Sequence, residues 1–154
     1  MAGSIDARLS ELGIELPEAK APLANYVPCV RTGNLLFVSG QVPLGANGLE
    51  FVGRCGSEYG IEEGRAAARL CALNILAQAK AALGSLDHVK RIVKVNGYVN
   101  STPDFNDHPK VINGASDLFA DVFGEAGRHA RAAIGVANLP SGVAVEVEAV
   151  LEVA

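Results

Sequence analysis

A single α/β domain, built as a mixed β-sheet with two helices packed on one face, is the fold class this sequence predicts. Three observations point to it. Strand-like apolar patterning recurs at residues 35–39, 91–99 and 143–153, and two stretches with helical periodicity and end signals occupy 61–83 and 109–123. No linker or low-complexity tract separates them, and a chain of 154 residues can bury about 70% of its unfolded surface in one core.

The elements follow in order. A short helix is expected from about Ile5 to Leu12, with Ser4 as candidate N-cap and Gly13 as the stop. Pro17, Pro22 and Pro28 hold the next segment extended. Tyr26–Val30 reads as a strand. The turn pair Gly33 and Asn34 leads into Leu35–Ser39, a continuous apolar run expected to be covered on both faces and to end at Ser39, Gly40 and Gln41. Another short strand is expected at Leu49–Val52. Ile61–Leu83 is helical, with Glu62 and Glu63 favouring the dipole of its first turn and Gly84 just past its end; Leu70, Leu73 and Ala77 form a stripe that should lie on the sheet. Arg91–Val99 is a strand with Val93, Val95 and Val99 on one face and Lys94, Asn96 and Tyr98 on the other. Pro109 starts a second helix that runs to about Phe123.

The last quarter of the chain predicts a terminal hairpin. On its second strand Val143, Val145, Val147, Leu151 and Val153 alternate with Glu146, Glu148 and Glu152, so the acids share one face. On its first strand Ala132, Ile134 and Val136 form the apolar set, leaving Arg131 in a row with Ala133, Gly135 and Ala137 that has little bulk. A turn at Leu139–Ser141 sets Arg131 opposite a position between Glu146 and Ala149, so either Glu146 or Glu148 is the expected partner. From the residues alone, a cross-strand salt bridge is an adequate account. The sheet face away from the helices is then expected to carry Arg131, Glu146, Glu148 and Asn96, a polar, small-residue face of the kind another copy commonly covers.

Composition excludes several classes. Net charge is −4 with Lys and Arg scattered, which argues against a phosphate-backbone footprint and makes nucleic acid an unlikely partner. Cys29, Cys55 and Cys71 lack CxxC spacing and read as reduced, mostly buried thiols. His88, His108 and His129 lack metal-ligand spacing and are expected in loops or turns, so no metal site is predicted; His129, two residues from Arg131, is the one to watch. No run approaches the roughly 18 apolar residues of a membrane span, and the N-terminal segment has no signal-peptide pattern, so a cytoplasmic location is expected. Asn100, Ser101 and Thr102 match a glycosylation sequon by chance on that expectation.

Three stretches carry a family likeness: LANYVPCVRTGNLLFVSGQVPL (23–44), VINGASDLF (111–119) and HARAAIGVANLPSGVAVEVEAV (129–150). Together they resemble the RidA family, also called YjgF or L-PSP, the reactive intermediate deaminases. The resemblance implies a chorismate-mutase-like fold assembled as a homotrimer, with the helix-free sheet face forming a central barrel and small carboxylates bound between subunits. It implies hydrolysis of enamine and imine intermediates of amino-acid metabolism to 2-keto acids and ammonia, without a cofactor. Carried over by position, it assigns Arg131 to the substrate carboxylate, Glu146 to the water, Tyr26 and Ser39 (with the adjacent Gly40) to the cleft, and Asn113 to the second helix's contribution. The sequence departs from the family at the arginine motif, which often reads Pro, Ala, Arg, then Ser or Thr, then Cys. Here it is His129, Ala130, Arg131, Ala132, Ala133, so a hydroxyl and a thiol are absent.

The chemistry suits those residues. An arginine fork meets a carboxylate through two parallel charge-assisted hydrogen bonds, which lysine cannot match in orientation. A glutamate desolvated in a cleft can accept a hydrogen bond from water or act as general base. A hydrolase is therefore the leading expectation. The alternatives are a trimeric small-carboxylate-binding protein without turnover, an endoribonuclease and, lowest, a chorismate mutase.

Overall fold

The computed structural model describes residues 3–22 and 24–154. Leu23, at the head of the first matching stretch, lies outside the described residues with Met1 and Ala2. In chain order the elements are α1 (Ser4–Glu11), β1 (Cys29–Thr32), β2 (Leu35–Gln41), β3 (Leu44–Gly45), β4 (Gly48–Leu49), α2 (Ile61–Leu83), β5 (Val89–Asn100), α3 (His108–Phe123), β6 (Ala130–Val136) and β7 (Val145–Val153). Five strands form one sheet in the order β1-β2-β7-β5-β6, and β3 with β4 makes a separate small hairpin. Helices α2 and α3 pack against each other and cover one face of the sheet. Between the layers lie Ile75, Leu76, Ile112 and Phe119 from the helices, with Ile92, Val95, Val99, Val145, Val147 and Leu151 from the two central strands, all buried. This is the mixed sheet with two helices on one face that the alternation predicts.

The ends of α2 and α3 match their sequence signals, whereas Leu70 and Leu73, expected on the sheet, are only partly covered and Cys71, Ala72, Ile75 and Ala79 are among the fully buried positions of α2. Gly84 closes α2 at φ 82°, the left-handed conformation that favours glycine, and its N–H bonds Lys80 O. Pro109 sits in the first turn of α3, where its missing N–H costs nothing. Helix α1 differs at its start. Gly3 is the N-cap and Ser4 is already helical; the capping acceptor comes from far along the chain, as Asp87 accepts the N–H groups of Ser4 at 3.1 Å and Ile5 at 2.9 Å. Those hydrogen bonds, the one from Ile5 foremost, hold the Asp87 carboxyl below its ordinary pKa. A carboxylate whose folded pKa is depressed stabilises above its unfolded value of about 3.9 and loses that contribution as pH falls through the folded value. Asp87→Ala should therefore lower Tm at pH 7, with a difference that fades in thermal scans below about pH 4; a difference that persists in acid would refute the capping account.

Strand order overturns the terminal hairpin. β6 pairs with β5 in parallel, Val95 opposite Arg131, while β7 pairs antiparallel with the other edge of β5, Val95 opposite Ala149. The strands expected to fold back on each other are thus separated by a third, because a parallel pair needs a crossover and α3 supplies it.

Four strand details also shift. β1 starts at Cys29, leaving Tyr26 in the exposed bend before it. β2 is buried on one face only: Leu36 and Val38 are in the core, while Phe37 is 45% exposed. β5 carries an irregularity between Ile92 and Lys94 that switches its alternation, so Ile92 is buried and Val93 is only partly covered. The expected strand at 49–52 is confined to β4 and a lone bridge from Val52 to Val143. Asn100 is buried, with Nδ2 donating to Val143 O at 3.1 Å, which removes it from any glycosylating surface.

Candidate functional site

The two ends of the expected site stand on opposite faces of the sheet. Arg131 shares its row with Val95 and Ala149, both buried under the helices, so its side chain rises on the helix-covered face at the β6 edge. There Nη1 donates to Asn113 Oδ1 at 2.7 Å and to Ser116 Oγ at 3.2 Å, both on α3. The expected pairing of Arg131 with Glu146 or Glu148 within one chain is therefore corrected. The reason lies in β6: its more apolar row, Ala132 and Ile134, faces away from the helices, where Ile134 is 48% exposed, so hydrophobicity alone does not mark the core side of this edge strand.

Asn113 and Ser116 are three residues apart on α3 and so reach the same side of that helix. Ser116 is also bonded to His129, Oγ to Nε2 at 2.8 Å, and His129 Nδ1 lies 2.7 Å from Gly127 O. A carbonyl only accepts, so the Nδ1 carries the proton. Burial lowers the His129 pKa, the Gly127 carbonyl raises it and the Arg131 charge lowers it, for a net downward shift that keeps the ring neutral at pH 7. The Phe119 ring meets the imidazole edge-on at 5.9 Å between centroids. Beside these groups is a depression of about 400 Å³ lined by Ser116, Asp117, Ala120, Gly127, Arg128, His129 and Arg131. Among the described residues, the recorded hydrogen bonds of Arg131 run from Nη1 alone, which leaves Nε and Nη2 to meet a ligand.

The second group lies where β2 bulges. Register runs from Val38 opposite Ala149 to Gln41 opposite Val147, so Ser39 and Gly40 together oppose Glu148. Ser39 Oγ donates to Pro28 O at 3.0 Å. A Cβ on Gly40 would lie 2.9 Å from the Glu146 carboxyl carbon, so glycine lets that carboxyl approach the bulge. Ser39 and Glu148 also line a depression of about 300 Å³ on the helix-free face, with Val27, Val30, Phe37, Lys94 and Asn96. Tyr98 donates a short hydrogen bond to Glu148, which is the main reason its own pKa is pushed up to about 12. Tyr26 is half-exposed on the segment leading to this group. The structure thus joins Arg131 with Asn113, Gly40 with Glu146 and Ser39 with Glu148, while separating the Arg131 pair from the others.

Burial, reinforced by the Glu148 charge, raises the Glu146 pKa. A carboxylate with a raised folded pKa stabilises below its unfolded value and loses that contribution as pH climbs through the folded one, so at pH 7 the ionised Glu146 is a net cost. Glu146→Gln should raise Tm at pH 7 by about 1–3 °C, the scale of relieving one like-charge contact, and the gain should shrink toward pH 4. A lower Tm at pH 7 would show that Glu146 is held by a favourable contact.

Sequence reasoning singles out His129 only for its closeness to Arg131 and does not reach Ser116. The available signal was spacing: Asn113 and Ser116 at i, i+3 on a helix, His129 and Arg131 at i, i+2 in extended chain. The alanines after the arginine separate as well. Ala132 faces away from the Arg131 depression, whereas Ala133 shares the Arg131 row and packs on the core.

Fold and strand order define the class, a chorismate-mutase-like α/β domain. Residues 6–149 match the family described as "YjgF/chorismate_mutase-like, putative endoribonuclease". The chain is 53% identical over 152 residues to Protein TCP17 of Trypanosoma cruzi, covering 98% of this chain and 95% of that one. The solved structure of Atu1372 from Agrobacterium tumefaciens superposes with a TM-score of 0.91 at 50% identity, covering 97% of this chain and 92% of that one. The 2-iminobutanoate/2-iminopropanoate deaminase of Dermatophagoides farinae is 29% identical over 139 residues, covering 90% and 93% of the two chains. This chain belongs to the YjgF/RidA family. Among the described residues, no helix is long and apolar enough to cross a membrane.

Proposed function

We propose that this protein is an enamine and imine deaminase, hydrolysing small 2-imino acids to 2-keto acids and ammonia in a cleft completed by neighbouring copies in a homotrimer. The observation that carries this reading is the Arg131 clamp. Asn113 and Ser116 hold one end of the guanidinium, and its free N–H groups border a depression large enough for a small carboxylate. The name of the Dermatophagoides relative supplies the reaction class. Glu146, with Tyr26, Ser39 and Gly40, is on the opposite face of the same chain, so in this reading these groups reach the Arg131-bound substrate from a second copy. The exposed Val27, Val30, Phe37 and Ile134 give that copy an apolar surface to cover.

Two tasks are then divided. Arg131 orients the carboxylate, Glu146 accepts a hydrogen bond from the attacking water, and the imine itself provides much of the driving force. The test generates imino acids in situ with an amino-acid oxidase, traps free imine with semicarbazide, and follows keto-acid release. Acceleration over buffer by the wild type supports the deaminase. Binding of pyruvate or 2-ketobutyrate without acceleration favours a carboxylate-binding protein instead. Mass in solution tests the assembly, and a clean monomer removes the shared cleft.

A further inference from the structure

The geometry points to Ser116 and His129 as the proton-transfer arm of the Arg131 site, Ser116 exchanging protons with water and substrate nitrogen while His129 holds the proton between the two transfers. The inference rests on the deaminase reading and assigns within it a step that Arg131 and Glu146 leave open.

Direction is built into the chain of hydrogen bonds. Gly127 O accepts at 2.7 Å from His129 Nδ1, which leaves the Nε2 lone pair aimed at Ser116 Oγ at 2.8 Å. The serine proton therefore points at the imidazole, and its oxygen accepts from Arg131 Nη1 at 3.2 Å. An oxygen beside a guanidinium tolerates developing negative charge, and a neutral imidazole is ready to take a proton. The charges facing His129 are Arg131 on β6, Arg128 next in the chain and Asp117 on α3; Arg128 pairs with Glu125 at 3.7 Å and Asp117 with Arg65 at 3.0 Å. Phe119 closes the side toward the core. Ser116 and His129 both border the depression on which the free N–H groups of Arg131 open, so a carboxylate held there brings its adjacent C=N carbon toward the hydroxyl.

Atoms balance without a co-reactant. In the first step the water oxygen bonds to the C=N carbon and the π pair moves to nitrogen. In the second the C–N bond breaks, its pair leaves with nitrogen, and C=O forms. Each step transfers one proton from oxygen to nitrogen: Ser116 Oγ takes it as its own proton passes to His129 Nε2, and the reverse movement delivers it to nitrogen. Ser116 touches the reacting atoms; His129 acts through it.

The test is the pH dependence of kcat/KM for keto-acid release between about pH 5 and 8, in wild type, His129→Gln, Ser116→Ala, Ser116→Thr and Glu146→Gln. The expected wild-type profile falls in acid with an inflection below the ordinary histidine value of about 6.5, where Nε2 becomes protonated. His129→Gln, which keeps a hydrogen-bond acceptor but does not titrate, should lose that limb and about 10²-fold in kcat, with KM changed little because Asn113 still holds Arg131. Glu146→Gln should be slower yet keep the limb. Ser116→Ala should match His129→Gln, and Ser116→Thr should recover most of the rate. Turnover in which the limb survives His129→Gln, or in which Ser116→Ala runs at the wild-type rate, overturns this assignment and leaves the deaminase reading standing. Absence of any wild-type turnover overturns both.

Discussion

Replacing Arg131 with alanine should reduce keto-acid release by about 10² to 10⁴-fold and remove calorimetrically detectable binding of pyruvate. The magnitude comes from two charge-assisted hydrogen bonds to a carboxylate, each worth roughly 1.5–3 kcal/mol, at about 1.4 kcal/mol per factor of ten. Lysine at the same position should recover little, because an ammonium offers a point charge where the site needs a planar fork. It would also have to replace the Nη1 bonds that reach both Asn113 Oδ1 and Ser116 Oγ, a geometry matched to the guanidinium. Arg131 is only part-buried and pairs with no carboxylate among the described residues, so Tm should move by no more than about 2 °C. That combination, activity lost and fold kept, separates a ligand anchor from a structural salt bridge. An Arg131→Ala protein that turns over at the wild-type rate would place the carboxylate elsewhere.

Gly114→Ala should destabilise the fold far more than Arg131→Ala. A Cβ there would lie 2.8 Å from the Arg65 carbonyl carbon and 2.9 Å from its Cα, and closer still to its carbonyl oxygen. These are backbone atoms of α2, which cannot rotate aside as a side chain can, so α2 and α3 would have to separate. Overpacking a core typically costs 1–3 kcal/mol, and a backbone-to-backbone clash belongs at or above the upper end. At about 2–4 °C per kcal/mol for a chain of this size, thermal scans should show a loss of about 10 °C. Gly114 lies next to Asn113 and two residues before Ser116 on α3, so the same displacement should misplace the Arg131 clamp and depress activity well below the melting transition. An unchanged Tm would mean that the helix crossing is looser than these distances.

How legible the molecule is from its sequence depends on the range of the interactions concerned. The bounds of α2, Ile61–Leu83, and the opening of α3 at Pro109 follow from local signals: acids in the first turn, a left-handed glycine at the end, a proline where no N–H is needed. The alternation in β7 likewise identifies its core row, because β7 is a central strand with one face under the helices. Edge strand β6 is harder. Its apolar residues Ala132 and Ile134 face away from the helices and its arginine faces α3, so the pattern reads as inverted. The bulge that sets Ser39 and Gly40 against Glu148, the capping of α1 by Asp87 and the partnership of His129 with Ser116 all join residues distant in sequence or held by nonrepetitive chain.

By itself, then, the sequence determined the order of the main elements, the two-layer class and the core row of β7, while its likeness to a family singles out Arg131, Asn113 and Glu146 as candidates. Only the tertiary structure decided that β5 lies between β6 and β7, and therefore that Arg131 and Glu146 face opposite sides of one sheet. The reason is physical. Helix caps and period-2 alternation are local or single-strand properties, whereas strand order depends on which long-range pairing buries the most apolar surface around the α3 crossover.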